Sequence, residues 1–267
     1  MLIDTHTHFM EPQFSADLSD VLARAHEAGV MKMVNVGCTE IASEKSVEMA
    51  EKYDFLFATQ GLHPSHWEDF SEKLMVKFFD AASGCKKVVA IGEAGLDYHY
   101  KNANPEMQQK SFRAQMKLAE ELDLPAIIHC RDASNTDLSA SRDMISMMKE
   151  FPKVRCVMHC FAQDRQYARE VLEMSQTNPK GGHVFSFSGI LTYPKTDEVR
   201  FVAGMVPHDR IVVETDSPYL PPQIKRGQRN ETAWIVETAK KLAEIRGVSF
   251  EEISEITTKN AERFFGI

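Results

Sequence analysis

Two histidines one residue apart, His6 and His8, close the first apolar run of the chain in the segment LIDTHTHFM. Strand side chains alternate faces, so this spacing turns both imidazoles the same way, with Asp4 beneath them on that face. Imidazoles that share one space suit borderline divalent ions. A lone His-x-His also fits ordinary strand-end histidines, and only further ligands decide between the two. Four other residues are of the right type, Glu93, His129, His159 and Asp216, and each ends an apolar run.

The elements that must carry these residues follow from the pattern of the chain. Short β-rich runs at 2–8, 32–38, 56–63, 88–95, 125–131, 155–161, 183–189 and 210–218 alternate with amphipathic, helix-length segments. One such segment, EMQQKSFRAQMKLAEELD, sets Phe112, Met116 and Ala119 on one stripe. Pro and Gly mark loops in SQTNPKGG (175–182) and PPQIKRGQRN (221–230). No linker-like segment interrupts the alternation. Eight strand–helix units over 267 residues predict an α/β protein of one domain, 1–267: a single (β/α)8 TIM barrel with a C-terminal extra helix near 249–265.

Active sites of this fold gather at the C-terminal ends of the strands. His6 and His8 end the first strand, Glu93 the fourth, His129 the fifth, His159 the sixth and Asp216 the eighth, so all six are predicted to meet at one rim. Their imidazoles and carboxylates suit two divalent ions per chain, Zn2+ or Mn2+ and, less well, Mg2+. His63, in GLHP at the end of the third strand, faces the mouth and is expected to touch substrate rather than metal. By the same geometry His26, His183 and His208 are surface or structural residues, while His66 and His99 sit in exposed loops. Cys130 and Cys160 follow His129 and His159 directly and are expected to turn towards the helix layer. The methionines read as core filler.

Composition bounds the rest. With 43% hydrophobic and 26% charged residues, the chain reads as a soluble globular protein. No window is apolar enough to span a membrane, and the start of the chain lacks the pattern of a signal peptide. Five cysteines without CxxC spacing fit a reducing compartment. The expectation is a cytoplasmic monomer with no membrane partner. A net charge of −8 disfavours indiscriminate nucleic-acid binding through a basic surface. It still permits a nucleic-acid enzyme whose positive charge is concentrated in one metal-loaded pocket.

The motifs DTHTH, GLHP, IGEAGLDYH, IHCRDA, MHCF, FSFSGI and ETDSPYL occur in this order from residue 4 to 220. Together they resemble the TatD family of metal-dependent deoxyribonucleases, a branch of the amidohydrolase-like barrels. The resemblance implies that His6 and His8 bind one metal with Asp216, that His129 and His159 bind the other, and that Glu93 bridges them. It further implies removal of nucleotides from DNA, commonly at 3′ ends, with RNA left open as a second substrate. Two departures fall in the substrate loops: Thr232 replaces a common proline, and Tyr-Pro replaces a commoner Phe-Lys, shifting Lys195 by one position.

A phosphate substrate follows from charge as well. Two divalent ions outweigh Glu93 and Asp216, so the site stays positive. Arg131, two residues after His129, faces the same mouth and can hold phosphate bidentately. The basic run KRGQR (225–229) follows the eighth strand, where phosphate sites are common in this fold, and Arg229 is its expected contact. The expected mechanism is attack on phosphorus by a metal-activated water, with Asp216 and Glu93 as the catalytic carboxylates; Asp216 orients the water and takes its proton. His63 or Arg131 would neutralise the phosphoryl oxygens. Asp4 and Glu214 fall in adjacent inner positions of strands one and eight, where at least one is expected to accept the free ring N–H of His6 or His8. The competing reading is a hydrolase of a small amide, lactone or phosphoester on the same barrel. Many such enzymes bridge their metals with a carboxylated lysine on strand four, where this chain has IGEAG; Lys86 and Lys87 fall at the opposite end. A barrel serving only for binding would lack ligands, and none is missing.

Overall fold

Apolar runs bounded by turn residues become eight strands: β1 (Leu2–Thr7), β2 (Val30–Asn35), β3 (Leu56–Gln60), β4 (Val88–Asp97), β5 (Ala126–Arg131), β6 (Cys156–Met158), β7 (Val184–Phe187) and β8 (Ile211–Val213). The structure is a computed structural model that describes residues 1–134, 136–178 and 180–267. The strands form one sheet in chain order, each parallel to the next. The ring closes between β8 and β1 through a bridge of Thr7 with Ser217. At that seam Asp216 N–H donates to His6 O (3.0 Å) and His8 N–H donates to Ser217 O (2.8 Å).

The helices are α1 (Leu18–Glu27), α2 (Glu40–Lys52), α3 (Glu72–Gly84), α4 (Pro105–Leu122), α5 (Ser139–Met148), α6 (Arg165–Thr177), α7 (Asp197–Met205), α8 (Ile235–Arg246) and α9 (Phe250–Phe265). Side-chain oxygens of Thr39, Ser71, Asn104, Asp164 and Ser249 accept main-chain N–H groups at the starts of α2, α3, α4, α6 and α9. Each such cap contributes about 1 kcal/mol. α4 buries the predicted stripe of Phe112, Met116 and Ala119 against the outside of the sheet. Inside the barrel, Ile3, Val34, Ala90, Ile127, Val157, Val184 and Val212 pack with Phe264 and Phe265 of α9. The extra C-terminal helix therefore plugs the barrel at the end away from the rim. This is the (β/α)8 TIM barrel expected from the sequence.

The strand lengths differ from expectation. β6 and β8 have three residues each, so His159 and Asp216 stand on loops past their strands, while β4 runs two residues further than expected, to Asp97. The loop expected over 175–182 starts only at Asn178, because α6 continues to Thr177. Pro179, which marks that loop in the sequence, lies outside the described residues. A 3-10 turn, Pro64–Asp69, fills the loop after β3. In β4, Gly95 pairs with His129 at a φ of +157°, and a Cβ there would stand 1.8 Å from His129 O. Glycine is what lets β4 and β5 approach closely beside a candidate ligand.

Candidate metal centre

The six candidate ligands come from five strands or the loops directly after them. β1 delivers His6 and, one residue past its end, His8. Glu93 lies within β4 and His129 within β5, while His159 and Asp216 come from the loops after β6 and β8. Asp216 has a φ of +59° and Cys160, directly after His159, a φ of +42°. Left-handed backbone costs a non-glycine residue about 1–3 kcal/mol, and both cases occur beside the same cluster.

Glu93 divides the cluster into two groups. Its Oε2 lies 3.3 Å from His6 Nε2 and 3.9 Å from His8 Nε2. Its Oε1 lies 2.8 Å from His129 Nδ1 and 3.6 Å from His159 Nε2. Asp216 Oδ1 joins the first group, 3.3 Å from His8 Nε2 and 3.8 Å from His6 Nε2. The His6 and His159 rings stack at 3.6 Å between the groups. The structure thus brings together all six predicted ligands.

The outward ring nitrogens explain why the inward ones are free. His8 Nδ1 lies 3.0 Å from Val36 O, and His129 Nε2 lies 3.2 Å from Asp97 Oδ2. His159 Nδ1 is 2.8 Å from Glu214 Oε1, an ion-pair contact rather than an aligned hydrogen bond. In each ring the acceptor favours a proton on the outer nitrogen, which keeps the inner nitrogen turned towards the cluster. His6 Nδ1 is buried without a partner. His6 Nε2 and His8 Nε2 face one another at 3.1 Å. Two ring nitrogens turned into one space beside carboxylates can share a cation there. Among the described residues no Lys or Arg pairs with Glu93 or Asp216. The donor set therefore fits divalent metal.

Charge in the cluster is set by competition between burial and neighbours. Burial opposes ionisation of Glu93, but the surrounding imidazoles outweigh it and hold the carboxyl well below its ordinary value. Asp216 is likewise lowered against its burial, by His8, His159 and His6. Burial disfavours the imidazolium of His129, yet Asp97 and Glu93 raise it to about 9. At His63 burial, with His129 beside it, outweighs the attraction of Glu93 and Asp97 and pushes the imidazolium down to about 3. Ser65 N–H donates to its Nδ1 (3.1 Å), so the neutral ring carries its proton on Nε2, 3.5 Å from Glu93 Oε1. His63 is closer to the carboxylate than its expected place at the mouth.

The other expected residues separate. Arg131 is exposed at the end of β5, its guanidinium 5.5 Å from the ring centre of Tyr100 and donating to the Tyr100 hydroxyl (3.4 Å). Arg229 does not face the cluster. Its guanidinium is committed to Asp17 (2.7 and 2.8 Å) and Gln13 O (2.6 Å), against the Phe14 ring, so it anchors its loop. Asp4 accepts from Thr215 Oγ1 (2.6 Å) and from the main-chain N–H groups of Thr215 (2.9 Å) and His6 (3.3 Å). Neither Asp4 nor Glu214 accepts a ring N–H of His6 or His8, contrary to expectation. Val36 O, one residue past β2, supplies the acceptor for His8, and Glu214 is engaged by His159 and Cys160 N–H (2.8 Å). Cys130 faces α5 through Ser141 (3.9 Å), as alternation predicts. Cys160 instead contacts Ser188 Oγ (3.1 Å), because β6 has ended at Met158 and alternation no longer applies.

Sequence reasoning missed Asp97 and Cys38. Asp97 continues the alternation 93, 95, 97 along β4, a signal that the early end assigned to that strand concealed. Cys38 Sγ lies 3.4 Å from Glu93 Oε2 and 3.7 Å from His8 Nδ1, with burial raising its thiol to about 12.

Comparison with known proteins places this geometry in a lineage. The family model described as TatD related DNase matches residues 3–266. An uncharacterized metal-dependent hydrolase of Bacillus subtilis, YabD, is 38% identical with both chains covered to 100%. A Cronobacter sakazakii protein named 3'-5' ssDNA/RNA exonuclease TatD is 32% identical over 99% of this chain and 97% of its own. The crystal structure of YJJV, a TatD homolog from Escherichia coli, matches with a TM-score of 0.90 at 30% identity, covering 100% of this chain and 98% of that one. The chain is a metal-dependent hydrolase and belongs to the family of TatD-related DNases.

Proposed function

We propose that this protein is a deoxyribonuclease that trims DNA from the 3′ end by hydrolysing one phosphodiester bond at a time at a binuclear site. The observation that carries the reading is the division of donors by Glu93: Oε2 serves the His6–His8–Asp216 side and Oε1 the His129–His159 side. His6, His8 and Asp216 would hold one divalent ion, His129 and His159 the other, and Glu93 both. Bound there, such ions lower the pKa of a water and polarise phosphoryl oxygens.

The chain's own groups do the rest. Asp216 is ionised and keeps part of its carboxylate open, at 12% exposure, so it can orient the attacking water and accept its proton. His63 presents a fixed Nε2–H towards the cluster, a donor for charge developing on the phosphoryl oxygens. Glu214 and Asp97 keep His159 and His129 turned inward. Arg131 meets the strand's phosphates from the rim. The products are a 5′-mononucleotide and a shortened strand.

Support comes also from relatives whose name specifies a 3'-5' ssDNA/RNA exonuclease. The test uses 5′-labelled DNA and RNA, single- and double-stranded, with metal-stripped protein and added Mg2+, Mn2+ or Zn2+. Metal-dependent ladders that shorten from the 3′ end are expected. Intact oligonucleotides with every metal would overturn the reading.

A further inference from the structure

α4 carries two glutamines a heptad apart, Gln108 and Gln115, each only 1% exposed. Each pairs its amide with both main-chain groups of one residue, and Gln115 Nε2 also donates to Ser111 Oγ (3.2 Å). Asp97 N–H donates to Gln108 Oε1 (2.8 Å), and Gln108 Nε2 donates to Asp97 O (2.9 Å). Two turns on, Leu62 N–H donates to Gln115 Oε1 (2.9 Å), and Gln115 Nε2 donates to Leu62 O (3.0 Å). Residues seven apart share a helix face, and this face is the buried one that carries Phe112, Met116 and Ala119.

Buried amides are a costly way to fill that stripe. A polar group left unpaired there costs roughly 1–3 kcal/mol, and an apolar side chain would pack the same space without that exposure to risk. What the amides hold is instructive. Asp97 is the last residue of β4 and sets its Oδ2 3.2 Å from His129 Nε2. Leu62 lies beyond the end of β3 and directly precedes His63, whose Nε2 is 3.3 Å from His129 Nδ1.

We propose that Asp97 is a positioning residue for His129, and that Gln108 of α4 fixes Asp97 for that task by clamping its main chain from both sides. Gln115 repeats the device beside His63. Asp97 keeps the ring proton on Nε2, and His129 Nδ1 therefore stays turned towards Glu93. The outer helix, not only the strand, sets one half of the donor set. This inference rests on the reading of the cluster as a metal site.

The experiment measures affinity of the metal-stripped full chain for Zn2+ and Mn2+ by competition with a chromophoric chelator. Thermal midpoints of the stripped proteins are recorded in parallel. Asp97→Asn should weaken one of the two ions about 10- to 100-fold, and Gln108→Met should weaken that same ion at least several-fold. Asn260→Leu is the control: Asn260 Nδ2 donates to His208 O (2.7 Å) and Ile211 O (2.8 Å) at the opposite end of the barrel. It should lower the melting temperature and leave both affinities unchanged. If Gln108→Met fails to fold, Gln108→Glu keeps the shape and the acceptor while losing the donor, and should show the same weakening. Wild-type affinity for both ions in Asp97→Asn overturns the proposal. So does a Gln108 variant that only melts earlier, as the control does. A wild-type protein that takes up no divalent ion overturns the metal reading itself, a result visible before any variant is made.

Discussion

Glu93 has both oxygens and its charge in use at once, which makes it the least replaceable side chain of the cluster. Glu93→Gln keeps the volume, removes the charge and turns one acceptor into a donor facing imidazoles. Bound metal and turnover should fall together, with the rate below about a tenth of wild type, a barrier change above ~1.4 kcal/mol. The loss should exceed that of any single histidine variant. Metal analysis alongside nuclease rates checks this, and a variant that keeps two metals and most of its rate removes Glu93 from the bridging role. His183 belongs to a different argument. It is buried at the start of β7, where Cys156 N–H donates to its Nδ1 (3.1 Å), and burial, helped by Arg210, pushes its imidazolium from 6.5 down to about 4. Between those values the unfolded chain binds more protons than the folded one, so stability rises with pH across the window. The contribution is complete above pH 6.5 and lost as pH falls towards 4, about 3 kcal/mol at most by the unit value of a pKa shift. Denaturant unfolding at a series of pH values should show His183→Gln with a flatter profile than wild type; parallel profiles would count against it.

At the scale of elements, the contact of β4 with β5 is the most sensitive. A methyl group on Gly95 would meet His129 O at 1.8 Å, against backbone that cannot yield without moving the strand. Gly95→Ala is expected to cost about 2–4 kcal/mol, within the tail of measured substitutions, and to displace His129. Chemical denaturation and metal titration together test it; a variant with wild-type stability would mean that the strands separate freely there. The same strand shows what the sequence made legible. Period-2 and helical patterns located all eight strands and the six rim residues, because those patterns are local. They failed at the ends of β6 and β8, where pairing stops as the chain enters the left-handed turns at Cys160 and Asp216. Those turns depend on neighbours distant in sequence. The direction of Glu214 and the capture of Arg229 by Asp17 were hidden for the same reason: each depends on which loop lies alongside. Gln108 and Gln115 were readable in principle, as two polar residues inside an apolar stripe.

Across the whole molecule, the cluster exists only when five strand ends are assembled around one axis. Ions that bind there bind the folded state and not the open chain, and stabilise it by mass action. At a free concentration 100 times the dissociation constant the gain is about 2.7 kcal/mol for one site. The thermal midpoint should therefore climb with added Mn2+ or Zn2+ and return on chelation, by about 2–4 °C per kcal/mol for a chain of this size. Calorimetry with and without chelator checks this, and a midpoint indifferent to metal would argue that the ions are not held by the fold. Charge at this scale acts differently. With a net charge of −8 and Arg229 paired to Asp17, the proposed binding of DNA should rest on the site more than on the surface.

The seam between β1 and β8 has a consequence in time. Asp4 and Thr215 are bonded across it although 211 positions separate them, and Asp216 follows at once. A ribosome making this chain releases His6 and His8 first and their acidic partner only near the end. Glu93, His129 and His159 follow in between, so from residue 159 to residue 216 the nascent protein carries five of the six clustered side chains without the carboxylate that completes the His6–His8 side. The His6–His8 side of the cluster is thereby left open until the last strand closes the ring, so the finished barrel is the first form of the molecule to hold all six side chains together.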